Sequence, residues 1–358
     1  MKASHLFIYT AVSLTVSLLF FPVLIKLLLQ WKIFDSPGRH KIHQKFTPSM
    51  GGVPIIVGVA FSLLIALPLE ELTNLKFFFI SIALMFITGL RDDILTLSPK
   101  QKMVSQFLPV IILVIFGNSV LQSFYGNFPE FHFPEYLAWA ITIFTIIILT
   151  NAYNLIDGLD GLAGAVGLVT LTLFGFWFYS VSNDALALIS FSFAGAILAF
   201  LFFNWQPSKI FMGDTGALTI GFLLSYLGIQ FINQNYDLPE NNPSRFQASI
   251  GTAVCILIIP LFDTLRVIIL RLRKFQSPFK ADKNHLHHQF LKLGLSHSKS
   301  VLLISCINLF FVALAWILRY QSDALILPIV IVICLIINQV LKVAQKRHVN
   351  NGGKSSIA

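Results

Sequence analysis

Apolar runs of roughly 20 residues, the length of a helix that crosses a bilayer, alternate with short polar connections along the whole chain. They fall at 6–29, 52–69, 76–90, 103–121, 136–152, 161–181, 185–203, 215–234, 248–270, 300–318 and 324–341. These are not the alternating ten-residue strands of a membrane barrel. The pattern predicts an all-α, polytopic transmembrane protein of about 11 spans. The run 6–29 is longer than a signal-peptide core, and no small-residue cleavage site precedes Gln30-Trp31-Lys32, so it reads as a retained span. Residues 1–341 form one integral-membrane domain in this reading. Residues 342–358, basic and then rich in Asn, Gly and Ser, form a disordered cytoplasmic tail.

Composition supports the membrane class. The chain is 56% hydrophobic and 11% charged, with a mean hydropathy of +0.78, against about 25% charged residues in soluble domains. A net charge of +9 would suit a nucleic-acid partner, but its distribution argues for topology instead. With alternate connections assigned to alternate faces, nineteen of the 25 Lys and Arg fall on one face. The positive-inside rule then places the N-terminus outside and the C-terminus in the cytoplasm. The acids divide by type. All five glutamates lie on the outer face, whereas the eight acids on or near the cytoplasmic face are all aspartates. A short carboxylate with few rotamers suits a fixed metal or substrate site. Cys255, Cys306 and Cys334 lie in apolar runs without metal-ligand spacing and read as small core hydrophobes.

Five polar clusters interrupt the apolar pattern on the basic face. The connection 151–164, Asn-Ala-Tyr-Asn-Leu-Ile-Asp-Gly-Leu-Asp-Gly-Leu-Ala-Gly, puts Asn151, Asn154, Asp157 and Asp160 in one i, i+3 row. Ionisable groups at membrane depth are costly and are functional candidates by default; a solvated turn is the plainer alternative. Arg91-Asp92-Asp93 ends a span, and its adjacent carboxylates need a cation, or a retained proton that a general base would exploit. Ser98-Pro99 then reads as the N-cap and first position of the next helix, ahead of Lys100. Asn204 to Gly216 places Asp214 where a helix begins, after a Phe211 that could stack on a nucleobase or simply fill core. Asp263 and Arg266 make an i, i+3 ion pair, structural or part of a site. In His285-Leu286-His287-His288, His285 and His288 share a helical face while His287 points elsewhere. Three histidines suggest zinc, yet no cysteine or HExxH pattern accompanies them, and the basic neighbours favour anion binding. The first loop, carrying Lys41 and Lys45, either clamps phosphates or merely obeys the topology rule.

Together these clusters resemble the polyprenyl-phosphate N-acetylhexosamine-1-phosphate transferases, relatives of the phospho-MurNAc-pentapeptide translocase. The resembling residues are Asp92-Asp93 with the following Leu-Ser-Pro-Lys, Asn151 to Gly164, Asn204 through Phe211-Met212-Gly213-Asp214, Asp263-Thr264 and His285 to His288. The resemblance implies an eleven-helix enzyme of the bacterial inner membrane with its site on the cytoplasmic face. Such an enzyme moves a sugar phosphate from a UDP-N-acetylhexosamine to undecaprenyl phosphate, releases UMP and uses magnesium, with manganese as the alternative ion. A homodimer is compatible with it. The translocase branch carries three consecutive histidines; Leu286 interrupts them here, as in the N-acetylglucosamine-1-phosphate branch.

Roles follow from that resemblance and the chemistry of phosphates. Asp214 and Asn154 would hold the metal. Asp92 would assist the attacking lipid phosphate, with Asp93 orienting. Asp157, Asp160, Asn151, Asn204 and Phe211 would hold the nucleotide or the metal's surroundings. Lys41, Lys45 and Lys100 would offset substrate charge, and His285, His287 and His288 would contact phosphate oxygens. Direct attack and a covalent aspartyl intermediate both fit. The rivals are a secondary transporter, whose acids would sit near midplane, and a lipid-binding scaffold without catalysis.

Overall fold

The computed structural model describes residues 3–31, 47–126, 131–276 and 284–350. Among these, every regular element is a helix, and one isolated bridge pairs Ser123 with His132. In chain order the helices are α1 (Ala3–Gln30), α2 (Gly52–Ala66), the short α3 (Leu69–Asn74), α4 (Lys76–Leu95) and α5 (Pro99–Ile111), which runs into a π turn at Ile112–Phe116. Next come α6 (Glu135–Ile156), α7 (Leu162–Ser180), α8 (Asp184–Asn204) and α9 (Gly213–Asp237). The chain ends with α10 (Ser249–Ile256), α11 (Ile258–Leu272), α12 (Leu286–Lys292), α13 (His297–Ile317) and α14 (Asp323–Asn350).

Among the described residues, eight helices are long and apolar enough to cross a membrane, or nine if α10 and α11 count as one broken span. The α2 helix is apolar but short. The sequence pattern predicts one straight span at 248–270; instead the chain bends by 84° between α10 and α11. Pro260 accounts for the break. It sits in the first turn of α11, where a missing N–H is tolerated, and it cannot continue the hydrogen-bond ladder of α10. The last helix also differs from expectation. It runs to Asn350 rather than stopping near 341, with Arg347 and His348 in its final turn, where cations favour a helix C-terminus. Residues 351–358 lie outside the described part.

Helix α9 is the centre of the bundle, with α2, α4, α6, α7 and α10 packed around it. Its membrane window is 89% buried, against 28% for α1 and 17% for α14, whose apolar side chains face outward as lipid-facing surface should. Apolar side chains gain little by leaving lipid, so close approach and polar bonds must fix such a core. Both are present. At one end of α9, Asn235 bonds Phe246 O and Ser249 Oγ, and Tyr125 bonds Asn233. At the other end, Gly52 opens α2 directly against the backbone of Thr215 and Gly216. The N–H groups of Gly51 and Gly52 donate to the carbonyls of Phe211 and Met212 at 2.9 and 3.1 Å. A Cβ at Gly52 would overlap the α9 backbone. Gly52→Ala is therefore expected to destabilise the fold by about 1–3 kcal/mol, read as a lower unfolding midpoint in detergent.

Candidate functional site

The C-terminal ends of α4 and α6, the start of α5 and the N-terminus of α9 meet at one end of the bundle and bring the aspartates together. Helix α5 begins as the sequence predicts: Ser98 Oγ accepts from Gln101 N, the Gln101 side chain accepts from Ser98 N, and Pro99 occupies the first turn. This cap turns Lys102 toward the acids. Its amine lies 3.1 Å from Asp92 Oδ2 and also bonds Asp214 Oδ1. Asn154, from the last turn of α6, donates to the same Asp214 oxygen. The backbone N–H of Leu97 fixes the other oxygen of Asp92 at 2.7 Å.

Asp93 has a different task. Its carboxylate accepts from Asp214 N at 2.8 Å, from Thr215 N at 2.9 Å and from the Thr215 hydroxyl, with Ser49 Oγ at 3.5 Å. It thus caps the first turn of α9 from a helix 121 residues away in sequence, satisfying orphan N–H groups and placing negative charge at the positive end of the helix dipole. Asp214 is held in place by this cap.

The Asn-Asp row is only half helical. Helix α6 stops at Ile156, so Asn151 and Asn154 keep the i, i+3 relation while Asp157 becomes the C-cap and Asp160 sits in the following turn. Gly158 and Gly161 end the helix there, and Gly161 adopts φ +82°. Asp157 is half-buried in this turn. Its enclosure raises its pKa well above the usual carboxylate range, and the charges of Asp214, Asp93 and Asp160 push it the same way. Asn151 is engaged elsewhere: its amide donates to Gln106 at 2.7 Å and to Ile147 O, and Gln106 donates back at 3.3 Å. Asn204 is a staple. It accepts from Gly161 N at 2.7 Å and donates to Ile210 O at 2.9 Å, tying the acidic turn to the segment that delivers Asp214. Phe211 is half-buried there, its backbone paired with Pro48 and Gly51.

The histidine segment docks from the far side. Asp263, 1% exposed, accepts from His285 Nδ1 at 2.9 Å and from Leu286 N at 2.6 Å, with Arg266 at 3.6 Å. Arg266 also donates to Asn284 O. His285 and His287 stack nearly parallel, 6.0 Å apart and 8° between planes, so the predicted pairing of His285 with His288 on one helical face is replaced. The reason is that His285 is the N-cap of α12 and lies off its helical lattice. His287 is 3% exposed, and burial, reinforced by His288, lowers its pKa to about 3. It is a neutral imidazole at pH 7. A Cβ at Gly158 would come within 2.7 Å of His287 Nε2, so this ring closes directly over the acidic turn. Asp160 Oδ2 is 4.0 Å from His297 Nδ1 at the start of α13.

The sequence-predicted residues Asp92, Asp93, Asp214, Asn154, Asp157 and Asp160 thus gather at one end of the bundle, with the histidines beside them. Lys100 is exposed on the first turn of α5 and has no described bond to the acids; Lys41 and Lys45 lie outside the described residues. Three participants go unnoticed in the sequence: Lys102, Thr215 and Gln106. Only Lys102 had a signal, as the cation one helical turn beyond the Ser98 cap.

No three acids or histidines among the described residues stand close enough to cage a metal. The donor set nevertheless suits magnesium, which keeps waters and takes few carboxylates. The Lys102 amine, bonded to Asp92 and Asp214 together, marks where the site already holds positive charge.

Known proteins resemble this chain in sequence over most of its length. The sequence profile of glycosyl transferase family 4 matches residues 75–232, the stretch from α4 through most of α9. A probable undecaprenyl-phosphate N-acetylglucosaminyl 1-phosphate transferase of Bacillus subtilis is 32% identical over 93% of this chain and 90% of its own length. The undecaprenyl-phosphate alpha-N-acetylglucosaminyl 1-phosphate transferase of Yersinia pestis is 27% identical over 81% of this chain and 78% of its own. The decaprenyl-phosphate N-acetylglucosaminephosphotransferase of Mycolicibacterium smegmatis is 30% identical over 75% and 71%. With its aspartate cluster, interrupted histidines and near full-length relatives, the chain belongs to the polyprenyl-phosphate N-acetylhexosamine-1-phosphate transferases of glycosyl transferase family 4.

Proposed function

We propose that the protein transfers N-acetylglucosamine-1-phosphate from UDP-N-acetylglucosamine to undecaprenyl phosphate, giving the lipid diphosphate sugar and UMP. The reaction takes place at the cytoplasmic face of a bacterial inner membrane. The observation that carries this reading is the meeting of Asp92, Asp214, Asn154 and Lys102 at one end of the bundle, where a soluble nucleotide and a membrane lipid can both arrive. A transporter would place such groups at midplane; these occupy helix ends. The interrupted His285-Leu286-His287-His288 favours this sugar over the translocase substrate.

In the reaction, an oxygen of the lipid phosphate attacks the sugar-linked phosphorus. The bond from that phosphorus to the bridging oxygen breaks, and UMP leaves. Asp92 stands ready to orient or deprotonate the acceptor phosphate: burial and the charge of Asp214 raise its pKa above the usual carboxylate range, and Lys102 opposes them in part. Asp93 is a poor nucleophile, because three donors from α9 occupy its oxygens; this favours direct attack over a covalent intermediate. Asp214 and Asn154 would hold magnesium, which when bound offsets diphosphate and leaving-group charge. The neutral His287 offers a hydrogen bond to phosphate without adding charge.

The test is UMP release by purified protein with undecaprenyl phosphate, magnesium and a panel of UDP-sugars. Release with UDP-N-acetylglucosamine, abolished by chelation, is expected; no release with any donor from folded protein refutes the reading. In the same assay Lys102→Met is expected to lower turnover by about 10- to 100-fold, because Asp92 and Asp214 then lose their shared cation. Turnover within twofold of wild type would remove Lys102 from the site.

A further inference from the structure

We propose that a second site, on the lipid-facing side of the bundle at the same end as the aspartates, binds the phosphate headgroup of an anionic membrane phospholipid. The cavity, of about 510 Å³, lies between the last turns of α1 and the α8–α9 connection. Pro22, Ile25, Leu29 and Phe203 form apolar walls, and Lys26 and Lys209 supply two amines. No acid lines it, and among the described residues neither amine has a carboxylate partner.

Three features say what fits there. First, the walls are hydrocarbon and the flanking α1 surface, with Val23 and Leu29 exposed, faces the bilayer, so the ligand carries acyl chains. Second, two cations with no carboxylate partner among the described residues, on an apolar floor, complement one phosphodiester, and lysines at this depth are attracted to an anionic leaflet. Third, the depth is interfacial: Lys26 lies about a turn before the exposed Trp31, and Lys209 four residues after the exposed Trp205, the pairing of aromatic and basic residues found at headgroup level. Pro22 contributes by interrupting the α1 ladder where the cavity begins. The cavity shares no lining residue with the aspartate cluster, because α1 packs on α2 and α8 rather than on α4 or α6.

The site is placed to steady the reaction centre. Lys209 belongs to the connection that runs on to Phe211 and Asp214, and its backbone N–H is bonded to Phe203 O at 2.7 Å. A lipid held between Lys26 and Lys209 braces that connection against α1. The inference rests on the chain's membrane placement, not on which sugar it transfers.

The experiment is native mass spectrometry of the full-length protein in detergent, titrated with phosphatidylglycerol or phosphatidylcholine. Wild type is expected to bind the first phosphatidylglycerol about tenfold or more tightly than phosphatidylcholine. The Lys26→Gln/Lys209→Gln variant should lose that preference, and Lys26→Arg/Lys209→Arg should keep it. Equal binding of the two lipids by wild type, or an unchanged preference in the Gln variant, overturns the proposal, as does loss of preference in the Arg variant. Displacement of that first phosphatidylglycerol by one equivalent of undecaprenyl phosphate would assign the cavity to the acceptor and overturn it too. No turnover is read, so failure here leaves the proposed reaction standing, and the reverse holds.

Discussion

Asp214→Asn is expected to lower UMP release by about a thousandfold or more and to leave the unfolding midpoint nearly unchanged. The carboxylate is where Lys102 and Asn154 converge, and it is the acid nearest the start of α9. An amide of the same shape keeps the space filled but removes the charge that a magnesium–diphosphate complex requires. Stability should suffer little. Asp93 remains to cap α9 through the backbone N–H groups of residues 214 and 215, which the substitution does not touch, and loss of one charge at a helix N-terminus costs about 0.3–1 kcal/mol. Excess magnesium should not restore turnover. Full magnesium-dependent turnover in this variant would mean that the metal is held elsewhere.

The all-helical membrane class, eight or nine of the spans and the polar interruptions were legible because they depend on local pattern: runs long enough to cross hydrocarbon, and acids too costly to leave inside it without a use. The Ser98-Pro99 helix start was legible for the same reason. What could not be read was pairing over distance. Nothing near Asp93 says that its oxygens cap a helix starting at Gly213, and nothing near Asn151 says that Gln106 saturates its amide. The bend at Leu257 was hidden for another reason: hydropathy does not distinguish a straight span from two apolar helices at 84°.

A common device emerges from those distant pairs. Asp93 on α4 caps α9, Asp263 on α11 receives the first N–H of α12, and Asp323 at the start of α14 accepts from Gly251 in the first turn of α10. Asn204 does the same for Gly161 ahead of α7. A helix terminus packed inside the bundle cannot rely on water for its orphan N–H groups, so a carboxylate or amide from a neighbouring segment satisfies them and ties the two together at once. Several polar groups that stand out in the sequence therefore have an architectural use, and in the proposed reaction the charged chemistry falls to a smaller set at the aspartate end of the bundle: Asp92, Asp214, Asn154, Asp157 and Lys102.

Asp263→Ala should show the architectural role at its strongest, with the unfolding midpoint lowered by the equivalent of about 3–5 kcal/mol and UMP release reduced by about a hundredfold or more. The carboxylate is buried and meets three groups, His285, the Leu286 N–H and Arg266. Truncating it takes the carboxylate away from a guanidinium that is itself 8% exposed and leaves a helix-start N–H without its acceptor. Activity should fall for a separate reason. Asp263 is the anchor that holds His285 stacked parallel to His287, and His287 is the ring that lies over Gly158 beside the acidic turn. Released from it, the imidazoles lose the placement that lets them meet phosphate. Asp263→Asn divides the two effects: its amide oxygen can still accept from Leu286 N, so the midpoint should recover part of the loss, while the uncharged group no longer offsets Arg266. A variant that lost stability but kept full turnover would show that the histidine segment is scaffold only.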